Sequence, residues 1–304
     1  MQKKISLLAL VLGIAMAAAA QQRGAPAPPS TPVPSQADVE TKENVLYASV
    51  KGTELHLDVY EPGDRERGTA VRPAVVLIHG GAWSSFDKST MRGMGQFLAR
   101  SGFVAFAVDY RLLHGDENRW PAQLDDVQRA VRWIRANAGK YGVNPDRIGA
   151  FGHSAGAQLA ALLGMEDTRD NSDPALAKYS SRVQAVVDVS GPTDFTTMKD
   201  PEGMAFLAGF LGAEYSKHPE IWEEASPAFH VSKKDAPFLI VHGTKDESVP
   251  FAQAQELYDK LHAAGVPVTF LKVDDVHTFE AQENKRKMAM EARDFFFRYL
   301  GGPQ

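Results

Sequence analysis

Three short segments of this chain hold residue types that could together attack and break an acyl bond. The first is Gly152-His153-Ser154-Ala155-Gly156, a serine set between glycines. Residues 147–151 before it read as a strand, and the Ala- and Leu-rich residues 157–163 after it read as a helix. A sharp turn between strand and helix lifts a serine hydroxyl clear of a sheet, and glycines let the crowded backbone pass. The helix N-terminus then directs free N–H groups at developing negative charge. The bare G-x-S-x-G pattern arises by chance in roughly one chain in ten of this length, so its flanks carry the weight. The plain alternative is a glycine-flanked turn with an idle serine.

The second segment, His79-Gly80-Gly81-Ala82-Trp83, follows the apolar run at residues 74–78. A tetrahedral intermediate needs hydrogen-bond donors already in place, and N–H groups of a Gly-rich loop after a strand can supply them. The candidate donors are Gly81, Ala82 and Ala155. Gly80 and Trp83, beside them, are carried as candidate substrate contacts. The third segment supplies base and acid. A serine hydroxyl attacks well only when a base removes its proton, and the order Ser, acid, His suits a strand–helix alternation. His277 follows the strand-like residues 269–273 and precedes the last helix, so it is the expected base. Asp246, in His242-Gly243-Thr244-Lys245-Asp246, is the expected acid, with Glu247 as a solvated neighbour. Asp194 also follows a strand-like run and is the second choice. Asp274 and Asp275 stand too near His277 in sequence to reach round its ring. His153 is expected to point into the fold. His242 ends a strand on the acid's own loop, and His114, His218 and His230 lie outside the expected position.

The elements that must hold these groups alternate strand with helix. Residues 45–50 and 54–60 read as an antiparallel opening pair. Residues 74–78, 103–108, 148–151, 183–189, 238–241 and 269–273 are continuous apolar runs, as strands covered on both faces should be. Met91, Met94, Phe97 and Leu98 form one helical stripe; Leu124, Val127, Val131 and Ile134 form another behind Pro121. Residues 280–299 read as a long closing helix. A mostly parallel sheet with helices on both faces follows, and ligands in such sheets bind at the carboxyl ends of the strands. Residues 190–234, rich in Pro and Gly, read as loops and short helices partly covering the site.

Composition bounds the rest. The net charge is −5 and no basic stripe occurs, so a nucleic-acid partner is not expected. Absence of cysteine excludes disulfides and a thiol nucleophile. Lys3 and Lys4, the apolar residues 5–20 and Ala18-Ala19-Ala20 predict a signal peptide over residues 1–20, with export to the periplasm or medium and no stable membrane insertion after cleavage. Residues 21–41, with five prolines, predict a linker, and residues 42–301 a single folded domain.

With these motifs and Asp109-Tyr110-Arg111-Leu112, the chain resembles the bacterial esterase group related to hormone-sensitive lipase, nearest the acetyl-xylan, feruloyl and short-chain carboxylesterase branch with its arylformamidase relatives. The resemblance covers most of residues 43–300. It implies an α/β-hydrolase fold with an eight-stranded sheet, a Ser154–His277–Asp246 triad and no metal or organic cofactor. It also implies structural roles for Asp109 and Arg111. One departure is Ala82, where lipase-like members carry a third glycine. The expected partner is a small-molecule or polysaccharide-linked ester. Alternatives are hydrolysis of formamides or other amides, a lipase for long acyl chains, and a non-catalytic binding protein on the same fold.

Overall fold

The computed structural model describes residues 39–63 and 71–302. The expected signal peptide and residues 21–38 of the expected linker lie outside the described residues. Eight strands form one sheet in the order β1-β2-β4-β3-β5-β6-β7-β8. They are β1 (Val39–Val50), β2 (Thr53–Pro62), β3 (Arg72–Ile78), β4 (Val104–Val108), β5 (Val143–His153), β6 (Ala185–Val189), β7 (Phe238–Gly243) and β8 (Val268–Val273). β1 and β2 pair antiparallel, as do β2 and β4, and every other pairing is parallel.

β1 begins at Val39, inside the segment read as linker. Val39 to Lys42 pair with Pro62 to Val59 of β2, a partner that a proline-rich composition does not announce. The central strands are apolar throughout because both faces are covered. In β3, Ala74, Val76 and Ile78 point to one core layer, and Val75 and Leu77 to the other. β4 alternates in the same way through Val104, Phe106 and Val108 against Ala105 and Ala107.

The first layer is closed by α2 (Ala122–Ala136), α4 (Ala155–Met165) and α7 (Phe251–Ala263). The expected stripe of α2, namely Leu124, Val127, Val131 and Ile134, is fully buried. The second layer is closed by α1 (Arg92–Arg100) and α8 (Gln282–Leu300), which bring in Leu98, Phe295, Phe296 and Leu300. Burying one such side chain is worth about 1.5–3 kcal/mol. A single helical turn, α3 (Ala138–Tyr141), precedes β5. Residues 190–234 are more regular than their composition suggests, and carry α5 (Pro201–Leu211) and α6 (Pro219–Glu224). Asp200 caps α5 by accepting the Gly203 N–H, with proline at the first helical position. Among the described residues no helix is long and apolar enough to cross a membrane.

The segment after β4 is pinned by a buried ion pair. Asp126 of α2, fully buried, accepts Nε and Nη2 of Arg111 at 2.7 and 2.8 Å and the Arg111 backbone N–H at 2.9 Å. Next to it, Asp109 accepts the Lys88 backbone N–H at 2.9 Å and lies 3.3 Å from the Lys88 ammonium. Removing one partner of a buried pair strands the other charge. Asp126→Ala should therefore lower the unfolding free energy by about 3–5 kcal/mol in urea titrations; a loss below about 1 kcal/mol would mean that the pair does not hold this segment.

Candidate active site

β5 runs into the turn at Ser154, whose backbone takes φ 54° and ψ −122° before α4 begins at Ala155. A left-handed, non-glycine backbone costs on the order of 1–3 kcal/mol and persists only where its surroundings impose it. Here the Ser154 N–H donates to the Val189 carbonyl of β6 at 2.8 Å, and the Ser154 carbonyl accepts from Ala157 at 2.9 Å. The flanking glycines are required by contact. A Cβ at Gly152 would lie 2.1 Å from the Gly156 carbonyl oxygen, and one at Gly156 would lie 2.2 Å from that of Ile78.

His277 and Asp246 reach this serine from the ends of β8 and β7. His277 Nε2 is 2.9 Å from Ser154 Oγ, and His277 Nδ1 is 2.7 Å from Asp246 Oδ2. The carboxylate can only accept from Nδ1, which leaves Nε2 free to accept the serine proton. Asp246 is buried, with Oδ1 accepting the N–H groups of Ser248 and Val249 at 2.9 and 2.8 Å. Burial would raise its pKa, but hydrogen bonds from His242, His277 and the Val249 N–H outweigh that effect and hold the carboxyl well below the usual carboxylate range. The group stays ionised beside the imidazole it orients.

The loop from His79 to Trp83 follows β3 and comes up beside the turn. Gly80 packs so closely that a Cβ there would meet Ser154 Cβ at 3.1 Å. Gly81, Ala82 and Trp83 take φ of 110°, 48° and 56°. This left-handed run tucks the carbonyl of Gly81 under Ser84 and Ser85, whose N–H groups it accepts at 3.0 Å. Among the described residues no protein group accepts the N–H of Gly81, Ala82 or Ala155. Free backbone donors on both sides of a serine hydroxyl can bind an oxyanion.

The structure thus brings together Ser154, His277, Asp246, Gly81, Ala82 and Ala155. It places the other candidates differently. Trp83 is only 4% exposed, stacks on Phe210 at 4.3 Å and donates Nε1–H to Gln158 of α4 at 3.1 Å. Its burial and these contacts make it an anchor of the loop. Phe206 of α5 also stacks on it at 6.5 Å, so α5 packs against the loop that follows β3. Asp194, the second-choice acid, caps the turn at Phe195–Thr197 through the Thr196 N–H and is not bonded to His277. Glu247 is exposed.

Two histidines do more than the sequence disclosed. His153 faces the base, its Nε2 3.2 Å from the His277 carbonyl oxygen, and burial lowers its pKa. His242 is wholly buried with Nε2 3.2 Å from Asp246 Oδ2 and 2.9 Å from the Val249 carbonyl. Its i, i+4 spacing from Asp246 is the one signal that could have revealed it. Sequence reading also missed Asp188, a buried acid on β6. One of its oxygens accepts the Gly191 N–H at 3.0 Å and the other has no partner. Asp275 is not an acid for His277 but a brace for its loop, accepting the N–H groups of Glu280 and Ala281 and the Asn284 amide. Among the described residues no cluster of three or more His, Cys, Asp or Glu could hold a metal ion.

Fold and site define the class: an α/β-hydrolase with a serine–histidine–aspartate array at the carboxyl edge of its sheet. The BD-FAE family pattern matches residues 57–261, and the chain belongs to that family. It is 33% identical over 216 residues to the probable carboxylic ester hydrolase LipM of Mycobacterium tuberculosis, covering 69% of this chain and 49% of that protein. The chain spans about half the length of such mycobacterial relatives. Among solved structures, a truncated carbohydrate esterase from gut microbiota superposes with a TM-score of 0.73 at 29% identity, covering 88% of this chain and 99% of that one. Esterase 2 of Thermogutta terrifontis, with butyrate bound, gives 0.71 at 25% identity, covering 86% and 94%; the same enzyme is also known phosphorylated by paraoxon.

Asp188 carries a pH prediction. Burial pushes its carboxyl up to about 6, against the opposing Gly191 N–H and the nearby His242. A raised folded pKa means that the folded protein keeps a proton which the unfolded chain has released. The stability this group contributes is complete below its ordinary value of 3.8 and is lost as pH rises through about 6. Asp188→Asn has no proton to lose. Melting temperatures measured from about pH 4 to about pH 7 should show wild type losing ground to the variant across that window; parallel curves would refute the assignment.

Proposed function

We propose that the chain is a serine carboxylesterase acting on short-chain acyl esters through an acyl-enzyme intermediate. The observation that carries this is the continuous array Asp246–His277–Ser154, at 2.7 and 2.9 Å, beside three unpartnered backbone donors. The BD-FAE family and relatives named as esterases support the same reading.

In this mechanism Ser154 Oγ attacks the ester carbonyl while His277 Nε2 takes its proton. Asp246 stabilises the resulting imidazolium without itself becoming protonated. The N–H groups of Gly81, Ala82 and Ala155 form the oxyanion hole and stabilise the negative charge on the former carbonyl oxygen. His277 then gives its proton to the departing alkoxide, leaving the acyl group on Ser154. A water molecule, deprotonated by His277, attacks that acyl carbon; His277 then returns the proton to Ser154 Oγ as it leaves and the acid is released. The substrates we favour are acetyl or feruloyl esters of plant polysaccharide, in keeping with a carbohydrate esterase among the relatives. Lys3, Lys4 and the apolar residues 5–20 support export, which would bring the enzyme to such polymers.

The test is a series of p-nitrophenyl esters from acetate to decanoate, with Ser154→Ala alongside. Acetate and butyrate should be the best substrates, and Ser154→Ala should lower kcat by about ten-thousandfold or more. A loss of less than about tenfold would overturn the nucleophile, and a preference for octanoate or longer would overturn the acyl class.

A further inference from the structure

His277 is carried by a loop that the sheet supports only at its edge. β8 is the last strand in the sheet order, and the residues after it must reach back to Ser154 at the centre. Behind that loop lies a cavity of about 440 Å³, walled by Met94 and Phe97 of α1, Met288 of α8, and Thr278 and Phe279 of the loop itself. Phe279 is buried and takes φ 52°, in the left-handed region, where a bulky residue is a genuine outlier. Such a conformation persists only where its surroundings impose it. Asp275 braces the far end of the loop through the N–H groups of Glu280 and Ala281. The base lies on the other side of Phe279 and needs a hold of its own.

The backbone carbonyl of His277 is the point of attachment. No backbone N–H among the described residues reaches it. It meets two side chains instead: His153 Nε2 lies 3.2 Å away and Ser190 Oγ 3.3 Å. A carbonyl only accepts, so Nε2 of His153 carries its hydrogen and the Ser190 hydroxyl donates. Both donors stand on the central strands. His153 is the last residue of β5 and pairs with Val189 of β6. Ser190 follows β6, is fully buried, and gives its own N–H to the Val241 carbonyl of β7 at 2.9 Å. Nδ1 of His153 lies against Gly80, where a Cβ would meet it at 3.1 Å. The imidazole is therefore lodged between the oxyanion loop and the base loop.

The ring suits that place only when uncharged. The His153 and His277 ring centroids are 5.2 Å apart, so a cation at His153 would oppose the imidazolium that forms on His277 during attack. Burial lowers the pKa of His153 against the opposing hydrogen bond to the His277 carbonyl, and the neutral ring keeps one N–H to give. With Nε2 spent on that carbonyl and Nδ1 against Gly80, His153 acts through His277 and not on the reacting atoms.

We infer that His153 is a positioning residue: with Ser190 it ties the His277 carbonyl to the ends of β5 and β6, and so keeps the base from retreating into the cavity behind its loop. This rests on the ester-hydrolase reading above and adds to it the groups that set the distance between His277 Nε2 and Ser154 Oγ. A displacement of about 1 Å between reacting groups can cost on the order of a hundredfold in rate, so two modest hydrogen bonds on a backbone carbonyl govern turnover.

The experiment compares wild type, His153→Leu, His153→Gln and Ser190→Ala on p-nitrophenyl acetate. Leucine fills the space without a donor, whereas glutamine can bring an amide N–H to the place of Nε2. His153→Leu should lower kcat about tenfold to a hundredfold with KM unchanged within about twofold. Ser190→Ala, which removes the other donor, should lower kcat about threefold to tenfold. His153→Gln should bring kcat back to within about threefold of wild type. A kcat for His153→Leu within about twofold of wild type, a loss confined to KM, or a glutamine variant no better than leucine overturns the role. Should His153→Leu fail to fold, Ser190→Ala decides, and a kcat equal to wild type there overturns the tether. Proton NMR of the full chain separates this from failure of the esterase reading, because it needs no substrate. The His277 Nδ1–H, bonded to the Asp246 carboxylate, gives a far-downfield resonance identified by its absence from His277→Asn. Loss of that resonance in His153→Leu and its return in His153→Gln support the tether even in a protein without esterase activity, and a resonance unchanged in His153→Leu overturns it.

Discussion

The turn at Ser154 is the constraint on which the rest of the structure depends. Its left-handed backbone exists because two positions carry no side chain and three strands hold it on either side. Adding one carbon at Gly152 or Gly156 would drive it into backbone at 2.1 or 2.2 Å, a clash that no rotamer change relieves. β5 lies between β3 and β6, and all eleven residues of α4 are buried. The rigid body of the sheet therefore imposes the strained conformation, and the serine hydroxyl cannot relax into the helix that follows. His277, Asp246 and the loop at Gly81 are each delivered to this point by the end of a different strand.

Two buried acids, one on β6 and one just past the end of β7, show how that frame sets charge. Asp246 meets two imidazoles and two backbone N–H groups, and its charge is favoured despite burial. Asp188 meets one backbone N–H and leaves an oxygen unpartnered, so burial prevails and it keeps its proton up to about pH 6. Both are buried aspartates, and Asp188 lies the deeper of the two. Shallower burial and more donors together leave Asp246 the carboxyl able to support a cation at His277.

Much of this was legible in the sequence. Continuous apolar runs marked the strands because a sheet covered on both faces demands them, and strand-end positions pointed to Ser154, Asp246 and His277 before any coordinates. What failed to show was decided by distant partners. Val39 to Lys42 extend β1 only because β2 offers a register for them. Asp194 and Asp246 look alike in sequence, each an acid just past an apolar run, yet one caps a turn while the other meets the imidazole. Trp83 follows a glycine loop with nothing in its neighbours to mark it as buried, and is covered by Phe210 of a helix more than 120 residues further on.

The last helix has a consequence for how the molecule comes into being. α8 lays Phe296 against Gly149 in the middle of the sheet, and the Arg147 guanidinium ties the carbonyls of Leu300 and Gly302 to the start of β5. Those partners are separated by 153 and 155 residues. Until α8 packs, the part of that sheet face which α1 does not cover is open to water. The contacts that close this face join residues far apart in sequence, so loop-closure entropy makes them late events in folding.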